Sequence, residues 1–291
     1  MANHLIPAAS INSYTVAPSP TKVAAAKSLH ENIRSVLGSG YETFLQGSYK
    51  NDTGMADIND VDIVALRKET RSGTFSGVYF DEKIAWQEIF RQVQVALEAT
   101  REYRGKTEPG DKCITVNTDF KADIVPAVKI DVAGDDPIAV YSFREGSERK
   151  NYPRVHYQRN VEKQARTADN YKSTVRMFKR WAKNWFKGTK VAPSFDVECL
   201  IYNVPDHLFL FDDGAERFFV VGDHITKNIS RYTVVNSVAG DKDILVNSEW
   251  HPDNYEKFRQ TLEWAVIQVT VALRATTTDS ARASWRKAFN E

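Results

Sequence analysis

Cysteine is nearly missing from this 291-residue chain: Cys113 and Cys199 stand far apart, each among apolar residues, and no CxxC occurs. That argues against a disulfide framework and against a cysteine-ligated zinc site, and it fits a reducing cytoplasm. Charge of one sign is missing too. Thirty-nine Lys and Arg meet 38 Asp and Glu, for a formal net charge of +1. The bulk electrostatics therefore make no case for a nucleic-acid partner. No apolar run approaches the roughly 20 residues that cross a bilayer, so no membrane role is expected. The start, MANHLIPAASINSYTVAPSP, lacks the basic head and long apolar stretch of a signal peptide and reads as an arm, packed on the surface or loosely ordered. Internal repeats and low-complexity tracts are absent. Of the six histidines, His156 is the most tempting, but no partner spacing supports a ligand or base, and it reads as structural.

What remains is an ordinary globular composition, 42% hydrophobic and 26% charged, long enough for one large domain or two lobes. SPTKVAAAKSLHENIRSVL reads as a helix capped by Ser19 or Thr21, with Ala26, Leu29, Ile33 and Val36 at helical spacing and GSG as its stop. YETFLQ and VDIVALRK read as strands, and Gly73 and Gly77 mark a loop after them. A second amphipathic helix spans Glu82 to Thr100, with Trp86, Phe90, Val93 and Leu97 on one face. CITVNTDFKADIVPAVKI and IAVYSF read as further strands. Residues Glu145 to Thr167 are charged and poorly periodic, like a crossing segment. Helices dominate after that: Tyr171, Val175, Phe178 and Trp185 form one stripe, SFDVECLIYNV follows Pro193, and two helices close the chain. DGAERFFVVGDHITKNI is ambiguous between helix and strand. The expected fold class is α+β, a mixed sheet with helices (1–160, including the N-terminal helix) followed by a helical lobe (161–291), with a boundary near 150–165.

The chemistry concentrates in FLQGSYKNDTGMADINDVDIVALRK. Asp60 and Asp62 flank one valine in an apolar strand. Strand side chains alternate faces, so both aspartates point one way, about 6.5 Å apart along the strand, while Val61 and Ile63 point to the core. Converging carboxylates repel unless a cation lies between them. Hard divalent cations take such oxygen ligands, and a two-metal site needs a third acid. Asp123 in KADIVPAV is the candidate, with Asp119 its rival at the same strand parity; Ile124, Val125 and Ala127 embed Asp123 more deeply. Alone, an Asp-x-Asp triplet reads as a solvated strand edge, and a Gly-Ser pair as a turn. Together they gain a joint task. Gly47 lets backbone approach a phosphate, and Ser48 offers a hydroxyl to the terminal phosphates.

A strand, then Gly-Ser, then apolar-Asp-apolar-Asp-apolar resembles the signature of the DNA polymerase β-like nucleotidyltransferase superfamily. Within it, LQGSYKNDT, NDVDIV and KADIVPAV are similar to the CD-NTases, bacterial cyclic-oligonucleotide synthases related to animal cyclic GMP-AMP synthase and oligoadenylate synthase. The long helix with its Lys-x-Trp, the PSFDVECLI helix and the closing SARASWRKAF resemble that family in the same order.

The resemblance implies a two-lobed polymerase-β-like enzyme whose helical lobe closes a nucleotide cleft. It implies two Mg²⁺ (or Mn²⁺) ions on Asp60, Asp62 and Asp123, with ATP, UTP or GTP as substrates. The implied product is a cyclic dinucleotide second messenger of CBASS-type antiviral defence, and a regulatory protein encoded alongside is a further partner the resemblance implies. Lys179 is implied to neutralise the donor triphosphate, against a solvated helix charge. Ser194 adds a hydroxyl there, against a plain N-cap. Phe195 stacks on the donor base, against a core ring. Gln164, Thr167 and Asn170 are the polar candidates for reading a base, and Arg176 and Arg180 face phosphate or solvent. With balanced charge and no Cys/His cluster, nucleic acid is not expected to be required for activity. The rivals are a related transferase adding a nucleotide to RNA, a protein or a small molecule, and an inactive nucleotide-binding module.

Overall fold

The computed structural model describes residues 4–72, 84–130, 136–245 and 250–291, with the side chains of 69–72 left aside. The chain begins with α1 (Ala8–Asn12), α2 (Pro20–Leu37), β1 (Tyr41–Gln46), a single turn α3 (Gly47–Lys50), β2 (Asp60–Ser72) and α4 (Trp86–Glu98). Strands β3 (Thr107–Pro109), β4 (Ile114–Val116), β5 (Lys121–Ile130), β6 (Ile138–Ser142) and β7 (Ser147–Asn151) follow. Helices α5 (Pro153–Arg166), α6 (Tyr171–Phe186), α7 (Ser194–Tyr202), α8 (Gly214–Asn228), α9 (Pro252–Leu273) and α10 (Thr278–Ala288) complete the chain.

Two compact units emerge. One comprises Pro18–Asn51 and Asp57–Tyr157; the other takes the chain up to Ala17, Asp52–Ala56 and Gln158–Glu291. The short runs before Ala17 and at Asp52–Ala56 thus group with the helices, unlike a simple division at residue 160.

The first unit is a sheet in the order β1-β2-β5-β4-β3, with β6 joining β5 and β7 joining β6. Among the described strands only the β2/β5 pair is parallel. One face of the sheet is apolar by alternation. Val61, Ile63, Ile114, Ala122 and Ile124 bury there beneath α2 and α4, together with Ile33, Phe90 and Val93. Ile63 and Ile124 are fully buried, and each contributes on the order of 1.5–3 kcal/mol. A one-residue slip of β2 would trade these for Asp60 and Asp62, so the register is strongly specified. Ser19, not Thr21, caps α2 by accepting from Lys22 N–H, and Gly38 at φ 68° ends it. The Gly73–Gly77 loop lies outside the described residues, as do residues 82 and 83 of the expected second helix.

The second unit packs around α6. Phe178, Trp181, Phe218, Phe258, Trp285 and Phe289 form its aromatic centre. Trp181 is fully buried, while Trp185 of the expected stripe lies at the margin, both indoles donating to the Ala288 carbonyl. The N-terminal arm belongs to this core: Ile6, Ile11 and Tyr14 are buried, and Tyr14 lies 3.9 Å from Phe289 between ring centroids.

One open reading is resolved, and one expectation, besides that of a surface or loosely ordered arm, needs correction. The ambiguous DGAERFFVVGDHITKNI is a helix, α8, its first turn held by Asp213 accepting from Ala215 and Glu216 N–H. The charged stretch after Glu145 is not a plain crossing segment but strand β7 and helix α5. Hydrophobic periodicity missed α5 because its buried positions, His156, Asn160 and Lys163, are polar and spaced at helical intervals. Lys163 is tolerated inside because its ammonium donates to the Val204 carbonyl and Asp206, at 2.8 and 2.6 Å.

Candidate active site

Asp62 pairs with Gln46 on one side and with Asp123 on the other; Asp123 in turn pairs with Thr115, and Thr115 with Glu108. Partners in register share a face, so these five side chains form one row across the sheet, on the face opposite Ile63 and Ile124. Asp60, in register with Lys121, lies on that face two residues earlier. Parallel pairing of β2 with β5 is what brings two acids, distant in sequence, to neighbouring strands roughly 4.8 Å apart. Asp119 is set aside by the same register, being exposed in the bend before β5 begins.

Gly47 ends the row. Its φ is 68°, and a Cβ built there would lie 2.0 Å from Asp62 Oδ2. Glycine is thus required twice, by backbone conformation and by space. Ser48 follows in the single turn α3, which closes with Asn51 N–H on the Gly47 carbonyl at 3.0 Å.

Asp123 Oδ1 accepts from Thr115 Oγ1 at 2.6 Å. Thr115 did not stand out in the sequence. The signal that could find it is the β4–β5 hairpin, in which Ile114 faces Ile124 and Val116 faces Ala122, leaving Thr115 opposite the acid. Cys113 lies on the same flank. Burial, then the Asp123 and Asp62 carboxylates, push its thiol up to about 11. Well below that value the protonated thiol dominates, so iodoacetamide should alkylate Cys113 slowly at pH 8. With only about a thousandth present as thiolate, the rate should rise roughly tenfold per pH unit towards 11. Cys199 is buried and pushed higher still, so peptide mapping by mass spectrometry should find the label on Cys113.

Among the described residues no three His, Cys, Asp or Glu side chains converge into a ready metal-ligating group. The donor chemistry nevertheless fits a hard divalent cation: carboxylate oxygens on adjacent strands, beside a cradle that a Cβ would fill.

The remaining expected residues belong to the helical unit, and several have partners there other than those expected. Lys179 is buried, its Nζ 2.6 Å from Glu198 Oε2 and 3.1 Å from Thr53 Oγ1. Glu198 also accepts from Thr53 and from Asn160, which accepts from Tyr171. A buried ammonium demands such a partner. Removing one member should cost about 3–5 kcal/mol of stability. Lys179→Met is therefore expected to lower the urea midpoint sharply, and Lys179→Met with Glu198→Leu to recover only part of it, because Thr53 and Asn160 then lose their acceptor.

Gln164 is spent on the α5–α6 junction, donating to the Asp169 carbonyl and accepting from Lys172 N–H at 2.7 and 2.8 Å. Thr167 is 0% exposed, its hydroxyl on the Lys163 carbonyl. Asn170 donates to the Phe209 carbonyl. Arg176 donates to the carbonyls of Thr15 and Asp52. Pro193 holds the N-cap position of α7 without a side-chain bond, so Ser194 is its first helical residue and is exposed. Phe195 is 42% exposed rather than core, with Lys242 Nζ 5.0 Å from its ring centroid. No helix among the described residues is long and apolar enough to cross a membrane.

Residues 158–266 match the family profile described as the cGAS/DncV-like nucleotidyltransferase C-terminal helical domain. The cyclic nucleotide synthase CdnE01 of Staphylococcus haemolyticus is 28% identical over 271 residues, 80% of this chain and 90% of that protein. The cyclic UMP-AMP synthase of Rhodothermus marinus is 32% identical over 212 residues, 63% of this chain and 72% of that protein. The solved structure of Rhodothermus marinus CdnE c-UMP-AMP synthase with Apcpp and Upnpp superposes with a TM-score of 0.74 at 25% identity, covering 89% of this chain and 95% of that one.

Proposed function

Because the chain belongs to the cGAS/DncV-like nucleotidyltransferases, the CD-NTase family, we propose that it joins two nucleoside triphosphates into a cyclic dinucleotide, a second messenger of bacterial anti-phage signalling, with release of pyrophosphate. The observation that carries this reading is the in-register pair Asp62 and Asp123, beside a glycine whose Cβ would strike Asp62. Relatives named as synthases of cyclic nucleotides support the product class.

In this reading Asp60, Asp62 and Asp123 hold divalent metal, two Mg²⁺ or Mn²⁺ ions. When bound, the metal supplies charge at the attacking and leaving oxygens of an in-line displacement. Asp123 orients the attacking ribose hydroxyl and takes its proton, its carboxylate held by the hydrogen bond from Thr115 to Oδ1. Gly47 and Ser48 bind the terminal phosphates through backbone N–H and hydroxyl. Ser194 and Phe195 offer a hydroxyl to the triphosphate and a ring to the donor base. Lys179 acts through its buried pair with Glu198, and Gln164, Thr167 and Asn170 keep their junction task. Positioning and charge neutralisation then do most of the catalysis. The linear intermediate turns round so that its own triphosphate meets the remaining hydroxyl.

The test is incubation with four labelled nucleoside triphosphates and Mg²⁺ or Mn²⁺, then phosphatase, then chromatography. A phosphatase-resistant product has no free terminal phosphate and is a closed ring. Omitting one triphosphate at a time names its bases. Label recovered wholly as free phosphate, or only in linear products, would overturn the reading.

A further inference from the structure

Asp123 has a different neighbour on each flank. On β2 stands Asp62, and on β4 stands Thr115, whose Oγ1 donates to Asp123 Oδ1 at 2.6 Å. The threonine hydroxyl has a single proton to give, and a carboxylate receiving it forms a short, charge-assisted bond. The β-branched side chain has a stiff χ1, so the donor is aimed by the strand itself.

We propose that Thr115 is a positioning residue for Asp123: by occupying Oδ1 it fixes the plane of the carboxylate and presents Oδ2 to the divalent cation and the attacking hydroxyl. The inference rests on the reading of Asp123 as a metal ligand. Three observations set Thr115 apart from a strand residue whose hydroxyl merely points to solvent. Its oxygen is within bonding distance of the acid. It is the residue directly opposite that acid in the hairpin. Its own strand neighbours, Ile114 and Val116, are fully buried on the other face and so hold the register that aims it. Partners that hydrogen-bond a ligating carboxylate orient it, and losing one commonly weakens metal binding.

The test compares Thr115→Val, Thr115→Ser and Asp123→Asn in the full chain. Two readouts are taken: kcat and KM for the triphosphates, and the rise in melting temperature on Mn²⁺ titration without nucleotide. Thr115→Val should lower kcat about tenfold and move the Mn²⁺ midpoint up about tenfold, with KM unchanged. Thr115→Ser, which keeps the donor, should restore most of both. Asp123→Asn should make no product.

Wild-type kcat and Mn²⁺ midpoint in Thr115→Val, with Asp123→Asn inactive, would overturn the role of Thr115 alone. An active Asp123→Asn would overturn the underlying reading, and this inference with it. Loss of activity in Thr115→Val in step with a lower metal-free melting temperature, unrescued by serine, would make the residue structural and overturn the inference too.

Discussion

Asp62→Asn is expected to abolish turnover, by about a thousandfold or more, while leaving the fold intact. The size follows from the chemistry: metal charge at the reacting oxygens is worth several kcal/mol, and each 1.36 kcal/mol is roughly tenfold in rate. The intact fold follows from the position. Asp62 sits on the sheet face opposite the packed helices, and asparagine keeps its volume, so Val61, Ile63 and Ile124 stay buried. Product formation after phosphatase treatment measures the first part, and thermal melting without metal the second. Turnover near the wild-type rate would remove Asp62 from the site. Unfolding would mean that the carboxylate serves the sheet instead.

Gly47→Ala carries the other large effect. At φ 68° an alanine costs about 1–2 kcal/mol of stability, a strain local to that backbone. Its Cβ would also occupy the space 2.0 Å from Asp62 Oδ2. Of the two, the carboxylate is the softer partner and turns aside, which moves a proposed metal ligand. Activity should therefore fall at least about a hundredfold, since small misplacements of reacting groups cost that much. Gly38→Ala separates the two causes. Gly38 has the same φ of 68° but nothing within 4 Å of a built Cβ. With ψ −163° Gly38 lies in a region essentially reserved for glycine, so Gly38→Ala should lose at least as much stability and keep its turnover. Equal loss of activity in both variants would reduce the Gly47 effect to backbone strain.

Much of the sheet-bearing unit was legible because its signals are local. Strand alternation places Asp60 and Asp62 together, opposite Val61 and Ile63, and the Ala26, Leu29 and Ile33 spacing marks α2. The helix α5 was not legible, because its buried face is polar and satisfied by hydrogen bonds to distant residues such as Asp206 and Glu198. The same reason hid the partner of Lys179. A lysine on an amphipathic helix looks the same in sequence whether it faces solvent or a buried glutamate. Phe195, aromatic in an apolar run, left stacking and core both open, because nothing in a pattern of types reveals that one ring stays 42% exposed.

By itself the sequence determined which residue types could do the chemistry: two aspartates on one strand face, a third acid in a second apolar run, and a glycine where backbone must come close. Only the tertiary structure decided that Asp123 rather than Asp119 joins Asp62, that Thr115 holds it, and that Lys179 turns to Glu198. The physical reason is that alternation and periodicity are properties of one segment. Register between parallel strands and the pairing of buried charges are properties of two segments far apart, settled only when burial of the intervening core chooses one alignment.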